Sequence, residues 1–303
     1  MAAAAFALRT IWKAVLFPTT TAEGVAFSRY LLSDAGLLSE GIAKAFFPVK
    51  ASFWTLHPSM RNFFFKVIPG GASHLATRTW FYDANFARLL KPDMQVVICG
   101  AGFDSRAYRL HAPRGVRFFE VDLPQHPGVQ EYKAGRLARY GIVTDQVRLL
   151  PIDHKTQSLA DVLKAGGHDP SKPTIFLAEG LTMYLTEESI ADMVKSMRAV
   201  AAPGSYFMCE LFDAYLLTEK GKEDPVLGKY WKIVSQSGEG YSFGVVPGEM
   251  DAFWKRLGVA EVLVHNNPQD QLDEWRQTPG TAAHDDGSMP HGGICHLFLL
   301  KIK

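Results

Sequence analysis

Apolar and aromatic positions recur at helical spacing along residues 1–91. Two such groups stand out: Phe27, Tyr30 and Leu31, and then Phe63, Phe64, Val67 and Ile68. Prolines and the pair Gly70-Gly71 interrupt this pattern. The pattern predicts several short helices whose apolar faces need a partner surface. We therefore expect residues 1–91 to form a helical cap or lid.

Beyond residue 92, short apolar runs alternate with amphipathic stretches. The runs predicted as strands are Gln95–Cys99, Val116–Val121, Val147–Ile152, Thr174–Ala178 and Ser205–Leu211. The stretches predicted as helices are Ser105–Leu110, Gln125–Arg139, Ser158–Ala165 and Glu187–Ala201. Strands that alternate with helices favour a parallel sheet with right-handed crossovers and helices on both faces.

The last part of the chain adds a helix over Pro247–Leu257, a strand over Ala260–Val264 and a final strand over Ile294–Lys301. Residues 265–293, between those two strands, are rich in Pro, Asp, Gln and Gly and predict an exposed, mobile loop. The predicted fold class is α/β, Rossmann-like and doubly wound. It has a mostly parallel seven-stranded sheet with an antiparallel final strand, and the main domain covers residues 92–303.

The charge balance changes little in this picture but excludes some partners. With 32 basic and 31 acidic side chains the net charge is +1, which does not favour a nucleic-acid partner. Cys99, Cys209 and Cys295 each lie in or beside an apolar run, without metal-ligand spacing. We predict reduced core thiols, a cytoplasmic protein and no metal. The pattern indicates no oligomeric state.

The N-terminus allows two interpretations. Residues 1–22 contain Arg9 and Lys13, no acidic residue, and apolar positions at helical spacing. A helix packed on the domain is the favoured interpretation, and a targeting or membrane-surface segment is the alternative. No apolar run reaches the roughly 18 residues that a membrane span needs, so we do not expect a membrane partner.

A glycine turn follows the first predicted strand. Gly100 and Gly102 allow the backbone to approach a ligand closely, and the next helix directs its amino end at the same place. Ser105 stands where a dinucleotide fingerprint has its third glycine. Asp122 ends the second predicted strand 20 positions after Gly102. It is a better ribose partner than Glu120, which shares its face of the strand. These features favour an adenosine-containing ligand without separating S-adenosylmethionine from NAD.

Three motifs make the pattern more specific. They are VICGAGFDSRAYRL (97–110), FEVDLP (119–124) and LAEGLTMYL (177–185), in this order over about 90 residues. Together they closely resemble the leucine carboxyl methyltransferase family, and in particular its small-molecule, polyketide O-methyltransferase branch. Ser105 departs conservatively from the usual threonine. Thr182 replaces a hydrophobic residue and could tune the choice of substrate.

The resemblance implies S-adenosylmethionine as cofactor, S-adenosylhomocysteine as product, and a set of cofactor-binding residues. These are Arg78, Gly100, Ala101, Gly102, Asp122, Leu123, Asp153, His154 and Glu179. Within the set, the glycine turn would line the methionine and ribose parts, and Asp122 would hold the ribose hydroxyls. Asp153 and His154 would lie at the adenine end, and Arg78 would grip the cofactor carboxylate.

The resemblance also implies residues near the transferred methyl group. Glu179 and Tyr184 would be the catalytic pair, and Arg29 and Thr182 would face the substrate. Each has a structural alternative. Arg78 could cap a helix or form a surface pair, Glu179 could cap a helix, Tyr184 could be core, Asp153 could stabilise a loop, and Arg29 could lie on a solvated helix face.

The expected reaction is methyl transfer to a hydrophobic small molecule. A carboxylate acceptor is ionised near neutral pH and needs no base, whereas a phenol, with a pKa near 10, does need one. The scattered histidines are assigned no catalytic role: His57, His74, His111, His126 and His154. The resemblance is to a family whose founding chemistry is carboxyl methylation, and no histidine stands as an obvious base. We therefore predict a methyl ester, with hydroxyl methylation as the alternative. An NAD-dependent oxidoreductase and a cofactor-binding protein without methyl transfer are the other classes considered.

Overall fold

A computed structural model describes residues 20–47, 52–66, 69–110, 115–124, 129–142, 145–154, 156–236, 238 and 240–303. Residues 1–19 are not among them, so the predicted N-terminal segment lies outside the described residues. The same holds for Val67, Ile68, His111, His126 and the start of the helix predicted from Gln125.

One seven-stranded sheet forms the centre of the protein, with strand order β3-β2-β1-β4-β5-β7-β6. The strands are Gln95–Cys99 (β1), Arg117–Asp122 (β2), Val147–Pro151 (β3), Thr174–Ala178 (β4), Tyr206–Phe212 (β5), Glu261–Asn266 (β6) and Cys295–Lys301 (β7). The first five pair in parallel, and β7 runs antiparallel to both β5 and β6. The predicted fold class is confirmed, and the strand ends differ from the predicted ones by at most two residues.

The helices named below are, in chain order, Thr21–Asp34 (α1), Ala43–Phe46 (α2), Pro58–Lys66 (α3), Gly71–Leu89 (α4), Arg106–Arg109 (α5), Val129–Arg139 (α6), Leu159–Ala165 (α7), Glu187–Val200 (α8), Glu219–Glu223 (α9), Leu227–Gln236 (α10), Met250–Arg256 (α11) and Pro268–Gln277 (α12). Hydroxyl caps mark several of their starts: Thr20, Ser158 and Thr186 accept backbone N–H bonds at α1, α7 and α8. Helices α9 and α10, which follow β5, are an addition that the sequence pattern did not predict.

Alternate side chains of the strands supply two separate cores. Val97 and Cys99 of β1 face one core and Val96 and Ile98 face the other, as the two-residue period of a strand requires. All five residues of β1 are buried, which explains why four of them are apolar. The fifth, Gln95, satisfies its side-chain amide by hydrogen bonds with the backbone of Asp169. The three cysteines are buried and form no disulfide, so the prediction of core thiols is confirmed.

The N-terminal helices build a third core beside the sheet. Phe27, Leu31 and Phe46 are fully buried there. Helix α4 contributes Ala72 and Ala76 to this core, while its Tyr82 and Phe86 pack in the core under the sheet. One helix therefore takes part in both layers, and the division into a cap (residues 1–91) and a main domain stays a prediction.

The prediction that residues 265–293 form an exposed, mobile loop is wrong. Residues 268–277 form helix α12, which starts at a capping box between Asn267 and Asp270. Leu272 and Trp275 lie one turn apart and are buried, and the Trp275 ring stacks on Trp80 of α4 with 6.0 Å between centroids. A helix needs only one narrow apolar face to pack against the protein, so its overall composition can stay polar. For this reason the composition of residues 265–293 did not reveal the helix.

Candidate active site

The glycine turn and Asp122 meet at the carboxyl edge of the sheet, as predicted. Gly100 and Gly102 have φ angles of 65° and 42°, which favour glycine. The Gly102 amide donates to Asp122 Oδ2 at 2.6 Å, and the Leu123 amide donates to Oδ1 at 2.7 Å. Ala101 is buried between the two glycines. The Asp122 carboxylate therefore ties the tip of β2 to the turn after β1.

Glu120 has a different environment from Asp122, although the two share a strand. It is fully buried and accepts hydrogen bonds from Lys133 Nζ at 2.9 and 2.8 Å. Burial raises the pKa of Glu120, while the Lys133 ammonium opposes that rise. Glu120 and Lys133 thus form a structural ion pair, which leaves Asp122 as the acidic residue at the sheet edge.

Asp153 and His154 lie beside Asp122, after β3. The Ile152 amide donates to the Asp122 carbonyl at 2.9 Å, which brings the two strand ends together. Asp153 Oδ2 accepts from Thr156 Oγ1 at 3.0 Å, so the predicted structural alternative, a loop-stabilising carboxylate, is realised. Partial burial lowers the pKa of His154, against the opposing charges of Asp122 and Asp153. The adenine role of this pair stays a prediction.

Glu179, after β4, is surrounded by arginines from three elements. Its carboxylate pairs with Arg29 of α1, with Arg78 Nε at 2.8 Å and with Arg106 Nη1 at 2.6 Å. All four side chains are 6% exposed or less. Burial by itself raises the pKa of Glu179, but the charges of Arg29, Arg106 and Arg78 outweigh it and hold that pKa below its ordinary value. The resemblance implied that Arg78 and Glu179 both line the cofactor site, and the structure brings the two side chains together.

Several side chains of this site were missed by sequence reasoning. Arg106 also pairs with Asp83 at 2.8 Å and with Asp104 at 2.5 Å, and Arg109 pairs with Glu40 at 3.0 Å. Asp104, Arg106 and Arg109 all stand within the first motif, so their charge density was the available signal. Arg29 is 4% exposed, so the alternative of a solvated helix face is wrong for it.

Glu210 is a second missed carboxylate, and it lies in the middle of apolar strand β5. It is fully buried, and its oxygens accept from Tyr82 Oη at 2.8 Å and from the Gly180 amide. Burial and the Glu179 charge raise its pKa, whereas Arg78, whose Nη1 lies 3.7 Å away, lowers it. Thr182 is buried and donates to the Glu210 carbonyl at 2.6 Å, so its hydroxyl holds the backbone. The available sequence signal for Glu210 was a single acidic residue inside an apolar run.

Two histidines and a pair of stacked tyrosine rings lie near Arg78. Tyr184 stacks on Tyr241 with 5.7 Å between centroids and an interplanar angle of 19°. His74, one helical turn before Arg78 on α4, contacts His291 edge-on at 4.5 Å. Tyr184 thus packs against the core beside Tyr241, and its catalytic role stays a prediction.

The arginine cluster has donor capacity to spare for an anionic group. Arg29 Nε and Arg106 Nη2 are buried and have no hydrogen-bond acceptor among the described residues. A ligand carboxylate would satisfy such donors, and S-adenosylmethionine carries one. The residues at this edge therefore fit the cofactor that the resemblance implies. Within the described ranges no cluster of three metal-ligating side chains occurs, and no helix is long and apolar enough to cross a bilayer.

The strand order and the edge at which the motifs meet define a doubly wound α/β protein with the architecture of Rossmann-like methyltransferases. A solved structure from Thermobifida fusca, provisionally described as a methyltransferase, shares this fold. It has a TM-score of 0.52 and 17% identity over 90% of this chain and 93% of that one. The chain belongs to the leucine carboxyl methyltransferase family, whose profile matches residues 22–198, more than half of its length.

Curated relatives cover part of the chain. A Mycobacteroides abscessus protein is 36% identical over 142 residues, which are 46% of each chain. A Mycobacterium bovis protein is 39% identical over 139 residues, 45% of this chain and 43% of its own. Both are provisionally named S-adenosyl-L-methionine-dependent methyltransferases. The alignment thus spans less than half the length of the curated relatives.

Proposed function

We propose that this chain is an S-adenosylmethionine-dependent O-methyltransferase that acts on a hydrophobic small molecule. One observation carries the proposal: buried Glu179 and three arginines lie at the carboxyl edge of the sheet that also holds the glycine turn and Asp122. Such an edge is where open α/β sheets bind ligands. Its mixed charges complement a cofactor that carries a carboxylate, an ammonium and a sulfonium.

Each part of the edge has a proposed task in holding the cofactor. Arg78 and Arg106 would pair with its carboxylate, and the spare Arg106 Nη2 donor supports this role. Gly100, Gly102 and Asp122 would hold the ribose. Asp153 and His154 would flank the adenine, because they lie beside Asp122 at the same strand ends.

Methyl transfer is an in-line displacement, so the protein mainly supplies position and a dry cavity. When bound, S-adenosylmethionine supplies a methyl group on a positively charged sulfur. Glu179 would place a negative charge near that centre, and Tyr184 would position the acceptor. Helix α1 would exclude water above the glycine turn, since a side chain on Gly102 would meet Ala22 of α1 at 3.3 Å.

The acceptor oxygen has two candidates. The resemblance favours a carboxylate, which gives a methyl ester and needs no base. A hydroxyl is favoured by the two buried histidines, since a base is then available beside the site. The aromatic rings Tyr184 and Tyr241 support a hydrophobic acceptor in either case. We propose a cytoplasmic location because all three buried cysteines are free of disulfides.

Calorimetry with S-adenosylmethionine, S-adenosylhomocysteine and NAD tests the cofactor. We expect both sulfur nucleosides to bind and NAD not to bind. Binding of NAD alone would overturn the proposal. Mass-resolved methylation of a cell extract would then identify the acceptor, as a product heavier by one methylene. Mild alkali separates the two oxygen classes, because it hydrolyses a methyl ester and leaves an ether intact.

A further inference from the structure

The two histidines at the site form a buried pair that no role described so far requires. His74 comes from α4, and His291 comes from the 3-10 turn Pro290–Gly293 that precedes β7. The two side chains are 3% and 6% exposed. The His291 amide bonds the Gly70 carbonyl at 3.3 Å, which fixes the turn against the start of α4. The pair therefore joins two elements at the edge of the sheet.

The polar atoms of this pair lack protein partners. Neither Nδ1 nor Nε2 of His291, nor Nδ1 of His74, has a hydrogen-bond partner among the residues that the structure describes. A buried polar atom left unsatisfied costs about 1–3 kcal/mol, so such atoms usually await a ligand or water. His291 also adopts φ 46° and ψ 41°, a left-handed conformation that is uncommon outside glycine. Strain of this kind concentrates at functional sites.

The histidine pair lies near the end of β5, at the same edge of the sheet as Glu210 and Glu179. The His291 ring lies 4.0 Å from that of Tyr230 and 4.7 Å from that of Phe212, centroid to centroid. Phe212 ends β5 two residues after Glu210, the carboxylate that binds the Gly180 amide beside Glu179. His291 is thus an imidazole packed between aromatic rings and close enough to Arg78 to feel its charge.

The surroundings keep both rings neutral at ordinary pH. Burial lowers the pKa of His291 to about 3, and the Arg78 charge adds to that effect. Burial, His291, Arg78 and Arg29 lower the pKa of His74. The other titratable groups around the pair are Tyr230 of α10, Cys295 of β7, Asp286 and Glu210. A neutral imidazole has one N–H and one nitrogen with a free lone pair.

We infer that His291, backed by His74, accepts the proton of a phenolic or enolic hydroxyl on an aromatic acceptor during methyl transfer. This inference rests on the proposed function and selects the hydroxyl over the carboxylate. The lone-pair nitrogen of a neutral imidazole is satisfied only by a donor. A carboxylate has no proton to give, whereas a hydroxyl donates to that nitrogen and still has lone pairs for the methyl carbon.

The step balances without a further reactant. The hydroxyl oxygen forms a bond to the methyl carbon, the carbon–sulfur bond breaks, and its electron pair goes to sulfur, giving S-adenosylhomocysteine. The hydroxyl proton moves to the free ring nitrogen of His291. As oxygen shares its electrons with carbon, that proton becomes strongly acidic, so a weakly basic imidazole is sufficient. The products are an ether, a neutral thioether and an imidazolium that releases its proton when the product leaves.

The test uses naphthol and phenylphenol as probes, with naphthoic and biphenylcarboxylic acids as their matched analogues. Radiolabelled methyl transfer is measured for the wild type, for His291→Asn and for His57→Asn, an exposed control. Asparagine tolerates the left-handed backbone and removes the imidazole. We expect wild-type transfer to the phenols to be nearly flat from about pH 6 to 9. His291→Asn should lose at least about 100-fold and regain rate as pH rises toward the phenol pKa.

Two further measurements distinguish contact of His291 with the acceptor from an effect on cofactor binding or folding. S-adenosylmethionine affinity should change less than about twofold in His291→Asn, since the residue faces the acceptor. NMR of histidine-labelled wild type with S-adenosylhomocysteine should show the His291 ring nitrogens shift when the phenols are added. Transfer to the carboxylic acids alone, an unchanged rate in His291→Asn, or His291 resonances unmoved by the phenols would each overturn the inference. Failure to bind S-adenosylmethionine would instead overturn the proposed function.

Discussion

Removing the ammonium of Lys133 leaves the buried Glu120 carboxylate without its partner, and the resulting loss in free energy of unfolding can be estimated. Lys133 and Glu120 are both 0% exposed, and each Glu120 oxygen lies within 2.9 Å of Lys133 Nζ. In Lys133→Met the Glu120 carboxylate loses its only cationic hydrogen-bond donor among the described residues. Burial then raises the pKa of Glu120 further, and the variant avoids a buried, unpaired carboxylate by folding with Glu120 protonated.

Protonation of Glu120 determines how much free energy of unfolding the variant loses and how that loss depends on pH. Protonating a carboxyl with an unfolded pKa of 4.5 costs about 1.4 kcal/mol for each pH unit above it. In the wild type the pKa of Glu120 is already raised to about 7, so only the part of this cost above that pH separates the variant from the wild type. The expected loss is therefore about 2 kcal/mol at a pH near 8.5 and close to zero near 5.5. The sign follows because the folded pKa exceeds the unfolded one, so stability is retained at low pH and lost as pH rises.

Urea unfolding followed by tryptophan fluorescence at both pH values measures this loss. Lys195→Met, on the exposed face of α8, is the matched control and should cost less than about 0.5 kcal/mol. The double variant Glu120→Leu with Lys133→Met should recover most of the stability, because an apolar pair replaces a buried ion pair at little cost. A loss below about 1 kcal/mol near pH 8.5, or one that grows at lower pH, would refute the reasoning.

Three further outcomes are expected. Asp122→Asn should weaken S-adenosylmethionine binding about 10-fold or more, measured by calorimetry, because the charged acceptor at the glycine turn is lost. An unchanged affinity would show that Asp122 does not bind the cofactor. Arg78→Lys should also bind the cofactor poorly, since lysine lacks the planar guanidinium that binds a carboxylate through two N–H groups. The exposed control Arg256→Lys should bind the cofactor normally. Equal cofactor affinities in the two variants would show that Arg78 has a structural role. Burial lowers the pKa of His168 to about 4, below its unfolded 6.5, so its contribution to stability is lost as pH falls between them. His168→Gln should flatten the acid limb of the unfolding curve by about 1.4 kcal/mol per pH unit, and an unaltered slope would contradict this.

The sheet was predictable because its signals are local. Runs such as Val96–Cys99 are apolar at every position since both faces of the strand are covered, and glycines and caps mark where such runs end. The polar helix α12 was not predictable in the same way. Its docking depends on Trp275 meeting Trp80, which lies 195 positions earlier in the chain.

At the site, the motifs alone identified the residues that stand at the strand ends. Gly100, Gly102, Asp122 and Glu179 occupy fixed places in motifs, and parallel strands bring their carboxyl ends to one edge. The sequence also favoured Asp122 over Glu120 as the ribose partner, but it did not reveal that Glu120 is held in a buried ion pair. That pair depends on Lys133, one of many lysines, which reaches Glu120 from α6.

The histidine pair shows the same division most clearly. His74 and His291 are separated by 217 positions, and neither lies in a recognisable motif. Their ring contact exists because the turn before β7 packs on the start of α4, where a side chain at Gly70 would collide with Met289. Sequence patterns record local periodicity and spacing. Contacts between distant segments depend on packing, so only the folded chain brings two isolated imidazoles to the edge where the motifs meet.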